Sequence, residues 1–398
     1  MEKQASLVPT QEQSEKKSYW ARIGGAYGFL FGALLFLLPI FIIVFIALCA
    51  GSFTRNSVFG FGKDVAATPS FLAADYTSVS YTYVQGARTV LSYHDGIAAV
   101  TGGGIEIYSP DGERLLNAEM SFKSPRAVCS QKYLLAFDFG ARSFYVTSPY
   151  GVLFAGETEF PIYGADVADT GHFALITASN THLSQVLLYD ANFNLIQRFS
   201  RDSATTAVTI SDNGKYVVLG GMRAETEGER GIVELYRIGI KNSAFCATLE
   251  QAVLAVDFTD DRHISVLAEQ GLRVLDTDGD CENAVSFDAA SLCALDVNEN
   301  GCALAICTDP LRRECRVLIC DKKGNVLYDG VQSGDISSVS LANKSVFFLC
   351  GDTVSRLAWN TGERVDIACA MGADGIFAVN ERALRVIFAG EARYVEFD

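Results

Sequence analysis

Beyond residue 75 the chain repeats one unit. An apolar, β-branched run, a turn, a second run, a polar turn and a third run recur, with polar turns centred on Gly112, Gly151, Asn194, Lys241, Gly279, Gly324 and Gly362. Successive turns lie 38 to 47 residues apart. The clearest copies read IEIYSPDGERLL, FYVTSPYGVLF, VLLYDANFNLIQRF, RVLDTDGDCENAV, VLICDKKGNVLYDG and SRLAWNTGERVDI, with a weaker one in VELYRIGIKNSAF. A further strand precedes each unit, visible in ADVADTGHFALI, AVTISDNGKYVVL and ALDVNENGCALAI. Short β-branched and aromatic runs bounded by Asp, Asn and Gly are strands. A period of ~40 residues with four strands is that of a propeller blade, not of a helical solenoid.

A single blade exposes both faces of its sheet and cannot stand alone. Packing blades face to face around an axis buries those faces and leaves only short edges. A sequence that is 49% apolar and 20% charged supplies the material for that burial. Seven units carry the polar turn, and GIFAVNERALRVIFAGEARYVEFD follows the last of them with further strands but no such turn. The run SVSYTYV, residues 78–84, precedes the first unit and has no partner of its own. Placed as the outermost strand of the final blade, against residues 392–398, it closes the ring. The expected fold is therefore an all-β, eight-bladed β-propeller over residues 76–398, with seven blades as the alternative.

Upstream, residues 24–51 read GGAYGFLFGALLFLLPIFIIVFIALCAG and contain no charged residue. At ~1.5 Å per residue, about 25 apolar positions exceed a bilayer core of ~30 Å, and an internal proline is tolerated in a span. The run is too long for a cleaved signal peptide. Leu48 before Cys49 does not fit a lipoprotein signal, and a core helix of this length would carry a polar face. The reading is a single transmembrane helix between a disordered cytoplasmic head, residues 1–23, and a linker, residues 52–75. Lys16, Lys17 and Arg22 before the span outnumber Arg55 and Lys63 after it, which places the N-terminus in the cytoplasm and the propeller outside.

A basic head, one span, a linker and a propeller with the phrases YHDGIAAV, ISDNGKYVVL and ARYVEFD together resemble a known family. It comprises membrane-anchored β-propeller proteins of unknown function from Gram-positive, clostridia-type bacteria. The resemblance implies an eight- or seven-bladed fold and an exported body, and brings no activity, ligand or catalytic residue with it.

The net charge is −15, of which the head contributes about +1, so the body is near −16. Phosphate binding needs a basic surface, so nucleic acid is excluded as a partner. Ten of the eleven cysteines lie in the body. If the hairpin around residues 308–314 is centred on Leu311, Cys302 falls opposite Cys320 and Cys307 opposite Cys315, within cross-strand reach. These are possible disulfide pairs. The preferred expectation is that most of the thiols are free and buried, acting as small apolar packing groups.

No CxxC pair or Cys/His cluster has zinc-ligand spacing, and no cofactor is expected. Asp276, Asp278 and Asp280 resemble a calcium loop, but Cys281 stands at its glycine position and Phe287 at its terminal acid, so the segment reads as a blade turn. The glycines at 102–104 make a turn with no helix after it to cradle phosphate. His94, His172, His182 and His263 fall in separate repeats. Residues 222–231, MRAETEGERG, form the longest interruption of a repeat and read as a solvated hairpin that can touch a partner from the rim. The expected function is a membrane-anchored binding or scaffolding module for a protein or cell-envelope partner. The alternative is a propeller hydrolase or lyase with its site at the central channel.

Overall fold

Each repeat folds as a four-stranded antiparallel sheet, and there are eight such sheets. The computed structural model describes residues 36–38, 79–226 and 228–397. Contacts divide the chain into two units, Met1–Val58 and Phe59–Asp398. In the first, residues 36–38 are helical. The rest of the expected span at 24–51, the head and the linker lie outside the described residues, among which no helix is long and apolar enough to cross a membrane.

In the second unit, blades 1 to 7 comprise residues 89–119, 125–157, 162–201, 204–249, 253–286, 292–333 and 336–368. Blade 8 takes three strands from residues 375–396 and its fourth from Tyr81–Thr82. The eight-blade count holds, and the seven-blade alternative does not. Tyr81 pairs with Ala392 and Thr82 with Glu391, so the closing ladder is shorter than the expected strand and sits at the start of its partner.

The second strand of a blade is buried on both faces, which is why it reads as a continuous apolar run. Leu134–Asp138 shows this: Leu134 and Ala136 join the core shared with blade 1, while Leu135 and Phe137 join the core shared with blade 3. Eight apolar clusters result, one for each interface between neighbouring blades. Phe173 and Tyr189 stack at 4.4 Å between blades 2 and 3. The fourth strand faces solvent on one side and alternates accordingly, as in Val326–Ser333.

The ring closes through side chains more than through backbone pairing. Tyr83 is 7% exposed, gives its N–H to the Gly390 carbonyl at 2.9 Å and its hydroxyl to the Phe388 carbonyl. Arg385, 1% exposed, donates to the Asp95 carbonyl at 2.9 Å and lies 5.5 Å from the Tyr81 ring centroid. Gly112 has φ +84°, and a Cβ there would stand 2.5 Å from the Tyr81 Cβ, so only glycine admits the closing strand.

Candidate functional site

The blade meander divides the ring into two faces. Connections between first and second strands, and between third and fourth, gather on one, here the turn face. Connections between second and third strands, and from one blade to the next, gather on the other, the loop face. The first strands surround the axial channel.

The turn face is occupied with its own backbone. Asp276 accepts from the N–H groups of Asp278 and Asp280, both at 2.9 Å. Asp190 does the same for Asn192 and Asn194, and Asp321 for Lys323 and Asn325. These are Asx-type turns, and the DTDGD segment is one of them. Asp169, Asp261 and Glu299, from three further turns, add to the burial that raises the Asp212 carboxyl. That face is therefore acidic around blades 3 to 6.

The channel wall carries a set of carboxylates on first strands. Asp166, Asp257 and Asp296 occupy one position near the end of the first strand in blades 3, 5 and 6. Ile210 N–H of blade 4 donates to Asp166 at 2.7 Å, and Leu341 N–H of blade 7 to Asp296 at 2.7 Å. The Thr209 hydroxyl of blade 4 donates to Asp257 at 3.3 Å, and Ala378 N–H of blade 8 to the Ser340 hydroxyl at 2.9 Å. The belt stitches the inner strands of blades 3, 4 and 5 together, and likewise those of blades 6, 7 and 8. Enclosure by protein, with the Asp166 charge, pushes Asp257 up to about 8, although the residue also opens onto the channel. Enclosure raises Asp166 and Asp296 too, against the hydrogen bonds that lower them. The signal was present in the sequence, as the aligned aspartates of ADVADTG, AVDFTDD and ALDVNENG.

Histidines are not brought together. His172 contacts the Thr170 hydroxyl at 2.9 Å in its turn, His182 contacts Asp202 at 2.8 Å, and His263 lies between Asp260 at 2.8 Å and Glu282 at 3.4 Å. Among the described residues no group of three acidic, His or Cys side chains has metal-binding geometry. Cys302 stands opposite Cys320 and Cys307 opposite Cys315 in the register of blade 6. All ten described cysteines are free. Burial is less general than expected: Cys302, Cys315 and Cys320 are buried, whereas Cys246, Cys281 and Cys293 are exposed. The outward positions follow from the fourth strand's alternation and, at Cys293, from a bulge in the ladder.

The loop face differs in kind. Leu311, at the tip of the blade 6 loop, is 95% exposed, Met371 between blades 7 and 8 is 78% exposed, and Leu183 on the blade 3 loop is 67% exposed. Arg312 and Arg313 follow Leu311, held by ion pairs to Asp309 and Asp335 at 3.6 and 3.3 Å. The 222–231 segment continues the blade 4 ladder outward, with Met222 opposite Gly231 and Glu225 opposite Gly228, so it is a projecting two-stranded ribbon. A cavity of about 540 Å³ opens on this face at the ring seam, lined by Tyr83, Arg88, Asp374 and Phe377 among others. A second, of about 460 Å³, lies at the rim between blades 3 and 4 beside Arg198 and Tyr236. No other face of the described chain gathers exposed apolar tips in this way; the remaining large ones stand mainly on or beside outermost strands, as Val152, Leu195 and Val331 do.

Comparison with known proteins agrees with this architecture. The profile described as "Family of unknown function (DUF5711)" matches residues 73–396. No curated protein matches the sequence. Among solved structures, BamB from Moraxella catarrhalis is similar at 13% identity and a TM-score of 0.52, covering 80% of this chain and 98% of that one. A eukaryotic initiation factor is similar at 12% identity and a TM-score of 0.53, covering 80% and 89%. Likeness at such identities reports the fold alone.

Proposed function

We propose a function for a chain that belongs to a family of unknown function (DUF5711): it is a scaffold that holds a protein partner on the loop face of its propeller, fixed to a membrane by residues 24–51. The observation that carries the docking reading is the trio Leu183, Leu311 and Met371, exposed on loops of a rigid ring. Loops on a fixed framework are where binding is placed, and isolated apolar tips gain most from being covered. The three belong to blades 3 and 6 and to the connection into blade 8, so the partner that touches all of them spans the ring. The belt of backbone-bonded aspartates supports a framework role for the channel rather than a catalytic one. The uncharged stretch at 24–51 and the basic residues before it support the anchor and an exported body.

A photo-crosslinking amino acid placed at Leu311, and separately at Met371, tests the docking reading in native membranes, with Asn192 on the turn face as the control position. A discrete adduct from both loop positions and none from Asn192 is expected. Equal labelling from all three positions, or none from Leu311 and Met371, overturns it.

A further inference from the structure

Blade 6 holds half of the described cysteines, and its two faces treat them differently. Cys302 and Cys320 point into the core shared with blade 5 and are fully buried. Cys315 points the other way, into the core shared with blade 7, where Cys350 packs against the same cluster. Cys307, opposite Cys315, is half-buried. Cys293 is the extra residue of a bulge between Leu292 and Ala294 on the first strand. A bulge re-aims a side chain, and this one sets the exposed Cys293 beside Ala294, level with Ala305 and Ile306 on the second strand. The Cys293 thiol donates to the Ser291 carbonyl at 3.6 Å, and the neighbouring Cys315 and Cys307 add to the burial that raises it. Three cysteines on three adjacent strands are therefore neighbours at this end of blade 6, graded from exposed through half-buried to buried.

We propose that Cys293, Cys307 and Cys315 form a thiol relay that accepts a disulfide from solution at Cys293 and stores it as a cross-strand bond between Cys307 and Cys315. The donor is a small or protein-borne disulfide. The Cys293 thiolate attacks one donor sulfur, breaking the donor S–S bond and releasing the first donor thiol. Cys307, on the adjacent strand, attacks the Cys293 sulfur and releases the second donor thiol. Cys315 then attacks the Cys307 sulfur, forming Cys307–Cys315 and returning Cys293 to the thiol. Two protein thiols lose two protons and two electrons, and the donor disulfide is reduced to two thiols. Direct opposition in an antiparallel ladder sets Cα atoms ~4.5–5.5 Å apart, inside the disulfide range. Cys293 and Cys315 are separated by a strand and do not meet that range, which makes Cys307 the necessary middle member. The stored bond would tie the base of the loop that carries Leu311, but the relay stands on the strand register and the bulge and not on the docking reading.

The test uses the reduced full-length chain, oxidised glutathione at alkaline pH, alkylation of the remaining thiols and peptide mapping. The expected product is Cys307–Cys315, with Cys302 and Cys320 still alkylated after denaturation. Cys293→Ser should slow its formation by about tenfold or more, while Cys302→Ser, a substitution on the opposite face of the same blade, leaves the rate unchanged. Matching circular dichroism of both variants and the parent confirms that the blade is intact. A Cys307–Cys315 bond forming at the parent rate in Cys293→Ser overturns the relay. So does a glutathione adduct that stays on Cys293, or the absence of any disulfide on this face.

Discussion

Replacing Tyr83 separates a ring that unfolds as one body from a ring that merely frays at its seam. Tyr83 is 7% exposed within the cluster of Ile97, Ala99, Tyr108, Ile387 and Ala392, between blades 8 and 1. Truncating a buried aromatic side chain to alanine costs about 3–5 kcal/mol, part lost transfer energy and part residual cavity. Its hydroxyl adds one hydrogen bond, to the Phe388 carbonyl, worth about 1 kcal/mol net. Tyr83→Phe should therefore destabilise the body by about 1 kcal/mol and Tyr83→Ala by about 4 kcal/mol. The closing ladder has only two residue pairs. If the segment opened locally at little cost, neither change would register in global unfolding, because the loss would be capped by the local opening free energy. Urea denaturation of the full chain, with Trp20→Phe so that Trp359 alone reports, distinguishes the two. Trp359 packs against the core between blades 6 and 7, away from the seam. A graded fall in midpoint at unchanged slope is expected at that probe. An unchanged midpoint in Tyr83→Ala, accompanied by faster proteolysis ahead of residue 89, refutes cooperative closure.

Asp257 should make the body less stable as pH rises. Its carboxyl keeps its proton up to about 8 in the folded chain against 3.8 ordinarily, so the stabilisation is complete below the lower value, declines through the window and is gone above the upper one. Channel water screens the group, so the decline is on the order of 2 kcal/mol. Asp257→Asn keeps the acceptor for Thr209 and should flatten the profile; equal pH slopes for the two proteins would disprove the assignment. Protease added to intact cells or protoplasts should remove the propeller and spare residues 1–23. A fully protected body would overturn the exported orientation.

The architecture was legible because the blade imposes two periods at once. Second strands buried on both faces must be continuously apolar, as in FALIT and SVFFLC, and fourth strands must alternate, as in VLYDGVQS. The missing eighth turn and the homeless strand before the first unit together announced the closure, and the register of Cys302 and Cys307 followed from the symmetry of one hairpin about Leu311. What could not be read was set by contacts between repeats. The aspartate belt depends on where a neighbouring blade's N–H falls. Arg385 gives no sequence sign that it closes the seam, since its partners are the carbonyls of Asp95 and Pro110, nearly 300 residues away. Cys293 was hidden by its bulge, because strict alternation aims it away from Cys315.

The contrast between the two faces is what the proposed docking reading rests on. A turn that spends its Asp side chain on its own N–H groups is rigid and internally satisfied, and blades 3, 5 and 6 each carry one between their third and fourth strands. The connections on the loop face are under no such rule. They range from the tight turn at Gly351 to the ten-residue strands Tyr216–Glu225 and Gly228–Arg237, and they carry Leu311 and Met371 into solvent without a local partner for their apolar surface. Local structure cannot be what maintains an apolar tip that is 95% exposed, since burying it elsewhere would be favourable by about 1.5–3 kcal/mol. The ring supplies the rigidity, the turn face holds the ring's geometry, and the loop face presents apolar side chains that, on the proposed reading, a second molecule covers.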